Sequence, residues 1–217
     1  MAGRSLLHPN SLYKIVLLGL LLVPFCAASN HDDWKYENTR KDSRDFVSGG
    51  TLRVHMKVGD LHIKRGTADK IRLEYTVKSR YEHNVKEARV DFDVRGNEAT
   101  IDFQAPSTNN TQFDVELEVP PNTNLDLHSK VGDVSVDAIE GDKDIELGVG
   151  DIRLAKAPSD YRYVKVSSGI GDVNGDVTGN QRAEVSGWLG KTLKYHGDGK
   201  YELRARVGVG DINLDAN

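Results

Sequence analysis

The sequence predicts an all-β protein: a C-terminal β-solenoid, built like a parallel β-helix, stacked on an N-terminal antiparallel β region. Three observations carry that reading. From Ser48 onward apolar and polar residues alternate at period two, the mark of strands with one buried face. The tetrapeptide Val/Ile-Gly-Asp-Leu/Val/Ile recurs five times in 217 residues. Glycine is in surplus, with 21 residues, about a tenth of the chain against a usual ~7%. A β-sandwich in which Gly-Asp marks hairpin turns is the alternative, because a strand pair also suits repeats of 18 to 21 residues.

At the N-terminus, Arg4 and Lys14 precede the apolar run Ile15–Phe25, and the small residues Ala27 and Ala28 follow. That order is the signature of a secretory signal peptide over 1–28, with cleavage between Ala28 and Ser29. An apolar stretch of roughly 11 to 14 residues is short of the ~20 a membrane-spanning helix needs, so no transmembrane span is expected in the mature chain. Lipidation of Cys26 is disfavoured by bulky Phe25, where a small residue is needed. The leader holds two basic residues and no acid, so its removal takes the net charge from −4 to −6 and removes the only cysteine. An exported chain without disulfides fits a bacterial envelope, in the periplasm, at the outer cell surface or secreted. The Asn109-Asn110-Thr111 sequon reads there as a plain loop.

Residues 29–47 are polar, of mixed charge and without periodicity, and read as a linker. An N-terminal antiparallel part over 48–124 is expected next. Its alternating runs are Leu52–Met56, Leu61–Ile63, Ile71–Val77, Val90–Val94, Ile101–Phe103 and Phe113–Val119. Tyr81 to Ala88 is the one plausible helical turn, and Gly96-Asn97 between two alternating runs marks a hairpin.

The Gly-Asp repeat is expected to build 125–217. Its copies are Gly59-Asp60, Gly132-Asp133, Gly150-Asp151, Gly171-Asp172 and Gly210-Asp211. Among the last four copies the intervals are 18, 21 and 39 residues, the last about twice the other two, which calls for a degenerate copy, and Leu189-Gly190-Lys191 occupies that place. A unit of about 19 residues cannot bury its apolar face alone, whereas stacked units pair in parallel at roughly 4.8 Å and form a continuous core. Stacked in sequence order, the units end at the C-terminus in an unpaired strand edge, which suggests end-to-end self-association.

Glycine adopts a positive φ at a corner without steric cost, and aspartate bonds neighbouring backbone amides in Asx fashion. Stacking aligns the aspartates in a ladder. Like charges about 4.8 Å apart repel by ~0.9 kcal/mol at water's dielectric constant and ~3.5 at an effective 20, and Lys191 is expected to relieve this by standing between Asp172 and Asp211. Calcium-loop patterns are absent, so no metal is expected.

The stretch Val119-Pro-Pro-Asn-Thr-Asn-Leu-Asp-Leu127, followed by recurrent Gly-Asp corners behind a secretory leader, resembles a bacterial domain-of-unknown-function family catalogued as candidate adhesins. The resemblance covers roughly 48–215, with Gly190-Lys191 departing from the Gly-Asp pattern. It implies an exported, repetitive β-domain at the cell envelope and supplies no catalytic or ligand residue.

No catalytic, cofactor or metal site emerges from the residues themselves. His55 and His62 lie at polar-facing positions, and no His-x-x-x-His or His-Glu pair supplies metal-ligand spacing. Gly148-Val-Gly150 and Gly208-Val-Gly210 lack the strand-then-helix context of a dinucleotide loop. Asp91 with Asp93 and Glu116 with Glu118 form exposed carboxylate pairs that a β-helix polysaccharide enzyme could use, while Tyr161, Tyr163, Trp188, Tyr195 and Tyr201 could stack on sugars. The function expected is non-enzymatic recognition or adhesion toward a glycan or an envelope protein, without nucleic acid. An envelope-stress scaffold and a carbohydrate-active enzyme are the alternatives.

Overall fold

The computed structural model describes residues 34–155, 160–175, 184–186 and 190–215. The leader with its Ala28/Ser29 junction, Trp188 and Leu189 lie outside the described residues. Sixteen strands and one short helix follow in order: β1 (Tyr36–Asp45), β2 (Thr51–Arg65), β3 (Lys70–Ser79), α1 (Glu82–Glu87), β4 (Arg89–Arg95), β5 (Glu98–Gln104), β6 (Thr111–Val119), β7 (Asn124–Val131) and β8 (Val134–Val136). Then come β9 (Lys143–Val149), β10 (Ile152–Ala155), β11 (Tyr161–Ile170), β12 (Val173–Gly175), β13 (Glu184–Ser186), β14 (Thr192–His196), β15 (Tyr201–Val209) and β16 (Ile212–Asp215). The all-β class is borne out, as are the helical turn and the hairpin at Gly96, where β4 and β5 pair antiparallel.

Strand β2 organises the molecule. It runs through Gly59-Asp60 without a break, so two separately predicted runs form one strand of 15 residues. Its N-terminal half joins one ladder, ordered β4-β5-β2-β7-β9-β15-β11-β14-β13, and its C-terminal half joins a second, β1-β3-β6-β2-β8-β10-β16-β12. Each later Gly-Asp copy bends the chain from the first ladder into the second, and equivalent arms pair in parallel across the units. Antiparallel pairing is confined to the N-terminal part and to the β11-β14-β13 end of the first ladder, and even in the N-terminal part β2 meets both β5 and β6 in parallel.

The apolar positions fall into rows because parallel register places equivalent residues side by side. Val54, Leu127, Ile145, Ala205 and Val166 form one row, and Leu61, Val134, Ile152, Ile212 and Val173 another. All ten are buried in a single core that both ladders share. Burial of each large aliphatic side chain contributes roughly 1.5–3 kcal/mol.

Three expectations are corrected. Residues 36–45 are a strand, not a linker: β1 pairs with β3 over ten residues. An edge strand with little buried surface shows no alternation, and its charges protect the edge from pairing with another chain. Phe46, buried just after it, and the Arg40 guanidinium, which donates to the carbonyls of Ala88 and Val85, fix it in place.

The units do not stack in sequence order. The last one, β15–β16, lies between β9–β10 and β11–β12, pairing with a unit on each side. The chain therefore forms 161–175 one place too far along and returns to fill the gap. The C-terminal unit is interior and offers no unpaired edge for end-to-end association. Nor is Gly190-Lys191 a stacked turn: the strand after it, β14, runs antiparallel to β11 on its outer side.

Candidate functional site

Two features lie along the bends. The first is the corner row itself, ordered in space as residues 60, 133, 151, 211 and 172. The glycines before these aspartates have φ between 127° and 148°, and a Cβ on Gly132, Gly150, Gly210 or Gly171 would overlap the carbonyl oxygen of the corner glycine in the neighbouring unit. Each aspartate then reaches across to the next: the amide of Asp133 donates to Asp60 Oδ1 at 2.9 Å, Asp151 to Asp133 Oδ1 at 3.0 Å, Asp211 to Asp151 Oδ1 at 2.9 Å and Asp172 to Asp211 Oδ1 at 2.7 Å. The carboxylates thus continue the interstrand hydrogen bonding where the backbone bends. Lys191 Nζ stands 2.7 Å from Asp172 Oδ1, at the end of the row and not between Asp172 and Asp211, because those two belong to adjacent units. At the other end Gln112 Nε2 donates to Asp60 Oδ2 at 3.2 Å.

The residue before each corner glycine forms a parallel stripe. Val131, Val149, Val209 and Ile170 are neighbours in register and are exposed by 44 to 60%.

The second feature is an open groove of about 1110 Å³ on the outer face of the first ladder, where the end of β5 meets β2, β7, β9 and β15. Along its wall runs one register row: Asp102, His55, His128, Glu146 and Arg206. His55 Nδ1 lies 2.7 Å from Asp102 Oδ1, and the His55 and His128 rings stack with centroids 5.7 Å apart. His128 sits 3.0 Å from Asp126 Oδ1 and 3.2 Å from Glu146 Oε2. The adjoining row runs Lys57, Lys130, Gly148 and Gly208, so the floor is basic at one end and bare of side chains at the other. Among the described residues no group of three or more His, Cys, Asp or Glu is placed to hold a metal ion.

The remaining candidates are dispersed. His62 pairs with Asp137 at 3.0 Å on the second ladder. Glu116 is paired with Lys64, Glu118 with Arg72, Asp91 with Gln104 and Arg89, and Asp93 with Arg95. The carboxylate pairs are therefore cross-linked to cations on outer faces. The tyrosines do not form one stacking surface, since Tyr161 and Tyr195 are buried in the core and Tyr201 packs against it. Tyr163 alone lies toward the outer face, 5.1 Å from the His196 ring and 6.0 Å from the Arg204 guanidinium.

The groove row was legible in principle. Counted back from each corner glycine, the fourth residue is His55, His128, Glu146, Arg206 or Ser167, so aligning whole repeat units would have collected it. The Gly-Asp tetrapeptide alone does not contain it.

The family model described as the N-terminal domain of toast_rack, DUF2154, matches residues 30–190. The chain belongs to this family. A candidate cell adhesion protein from Clostridium sporogenes has a similar structure over 83% of this chain and 100% of its own, with a TM-score of 0.50 at 17% identity. That likeness shows a shared fold for this toast_rack chain. Candidate adhesins from Bacteroides fragilis (TM-score 0.29, 10% identity, 83% of this chain and 98% of that one) and Parabacteroides merdae (0.30, 11%, 84% and 95%) are also similar. No curated protein matches the toast_rack chain by sequence. Among the described residues no helix is long and apolar enough to cross a membrane.

Proposed function

We propose that this protein is an exported, non-enzymatic recognition module of the bacterial cell envelope, which holds a surface ligand on the outer face of its first strand ladder. The observation that carries the reading is the groove, because it gathers titratable side chains from five strands beside a floor that two glycines leave bare at one end. Concave, polar-lined surfaces positioned by a rigid β scaffold are where ligands bind. The leader-like N-terminus supports export, and the cell-adhesion name of a protein of similar structure supports recognition.

A glycan array probed with the purified protein tests the reading, alongside fractionation of cells producing it. Binding to a defined glycan class, with the protein outside the cytoplasm, is the expected result. A cytoplasmic protein, or the release of product from a bound polysaccharide, would overturn it.

An envelope protein as partner is favoured by a different feature, the exposed Val131, Val149, Val209 and Ile170 stripe. Aligned exposed aliphatic residues are what protein interfaces cover. Replacement of Val149 and Val209 by Thr would weaken such a complex and leave glycan binding unchanged.

A further inference from the structure

The outer face of the first ladder carries cations without partners. Several basic groups of the described surface are answered by acids: Lys41 by Glu74, Lys64 by Glu116, Arg162 by Glu202 and Lys191 by Asp172. Lys57, Lys130, Arg206 and Lys165 are exposed and have neither an ion pair nor a side-chain hydrogen bond among the described residues. Three acids on this face are engaged with other groups: Asp102 with His55, Asp126 with Arg53 and His128, Glu146 with His128. Asp144 lies beside Arg204 in register.

Like charges are also set side by side. Lys57 and Lys130 are neighbours on β2 and β7, since Met56 pairs with Ser129 and Val58 with Val131. Lys165 is directly opposite Lys194 across β11 and β14. Such pairs destabilise a sheet, and an external anion removes the cost.

The positions trace an oblique line. From Lys57 and Lys130 the path crosses β9 over Gly148, reaches Arg206 on β15 one row back, and ends at Lys165 on β11 a further row back. Four strand spacings across and four residues along amount to roughly 23 Å. One phosphate or one lipid headgroup covers a single pair of these cations. A chain with a negative charge on successive units covers them all, and the missing side chains at Gly148 and Gly208 let it lie close to the sheet.

We infer that this face binds a linear acidic polysaccharide, one bearing carboxylate or sulfate groups along its length. The inference rests on the recognition reading above and narrows its ligand. Binding of this kind weakens as salt is added, because the contacts are exposed.

The test is affinity electrophoresis and biosensor binding of the purified protein to polygalacturonate and heparin, with neutral dextran, phosphatidylglycerol vesicles and inorganic phosphate in parallel. Retention by an acidic polymer, lost at high salt and weakened about fivefold in K130Q/R206Q, is expected from the small worth of each exposed pair. K41Q on the other ladder should bind like the parent. Equal retention on dextran, binding unchanged in K130Q/R206Q, or binding to vesicles without the polymers would overturn the inference. A neutral glycan found on the array while both polyanions fail sinks this inference alone; silence on the array and with the polyanions sinks the recognition reading as well.

Discussion

The ammonium of Lys191 and the carboxylate of Asp172 stand 2.7 Å apart and close the corner row at one end. Every other aspartate in the row gives its Oδ1 to the amide of the next unit, whereas Asp172 has no further unit beyond it among the described residues and takes a cation instead. Both side chains are about half exposed, so the pair is worth ~0.2–1 kcal/mol. Lys191→Gln is expected to lower the urea midpoint slightly in low salt and to match the parent at high ionic strength. A large loss that salt does not change would show that Lys191 acts through something other than this pair.

Within the row, charge and hydrogen bonding can be separated at Asp151. Its Oδ1 accepts from Asp211, while its own amide donates to Asp133. Asp151→Ala removes an acceptor and should cost ~1 kcal/mol. Asp151→Asn keeps the oxygen and removes a charge lying between two others, so at low ionic strength it should be at least as stable as the parent. Gly150→Ala is the severe change, at about 2 kcal/mol or more, because φ is 133° and the new Cβ meets the Gly132 carbonyl. Denaturant unfolding of the three variants orders them Asn, Ala, then Gly150→Ala, and an Asn variant weaker than the Ala variant would refute the role given to Oδ1.

The alternation that fixes each strand's inward face is local, and it located the strands around Val54, Leu73 and Val115 from the sequence. Spatial order is not local. Gly171-Asp172 precedes Gly210-Asp211 in the chain but follows it in space, and nothing in either tetrapeptide records which unit lies beside Gly150. The repeat offset thus assigns Arg206 to the row of His55, but its place beside Glu146 follows only from the pairing of β15 with β9. β1 escaped for a different reason: a solvated edge strand alternates nothing, and its signal is the ten-residue match with β3. The corner row was legible as a ladder, but its end at Lys191 depended on the same unread order.

Insertion of the last unit makes the C-terminus indispensable. Ending the chain after Lys200 removes Val207 and Ile212, both fully buried, and leaves β12 without a partner among the described strands. It also strips the bonds from the Gly150 amide to Val209 and from the Ile152 amide to Asp211. Hydrogen exchange on the truncated protein should show the amides of Gly150 and Ile152 unprotected, and residues 161–175 exchanging as an unfolded segment. A stack in sequence order would lose only its final turn, so protection surviving in 161–175 would contradict the inserted arrangement.

Lys143 occupies a core position that its row otherwise fills with Leu52, Leu125, Leu203 and Val164. Its ammonium donates to Ile139 O at 2.6 Å and to the Tyr161 hydroxyl at 2.7 Å. Burial, and then the charges of Asp160 and Asp142, push the Tyr161 phenol above its ordinary 10.0. An acid whose folded pKa is raised binds its proton more tightly when folded, so the stability it contributes is complete below pH ~10 and is lost as pH climbs above that. Tyr161→Phe should therefore cost ~1–3 kcal/mol at pH 8, through the acceptor lost to a buried cation, and should flatten the decline between pH 10 and 11.5. Urea midpoints of parent and variant across pH 8 to 11.5 measure both effects, and parallel declines would show that another group governs the alkaline limb.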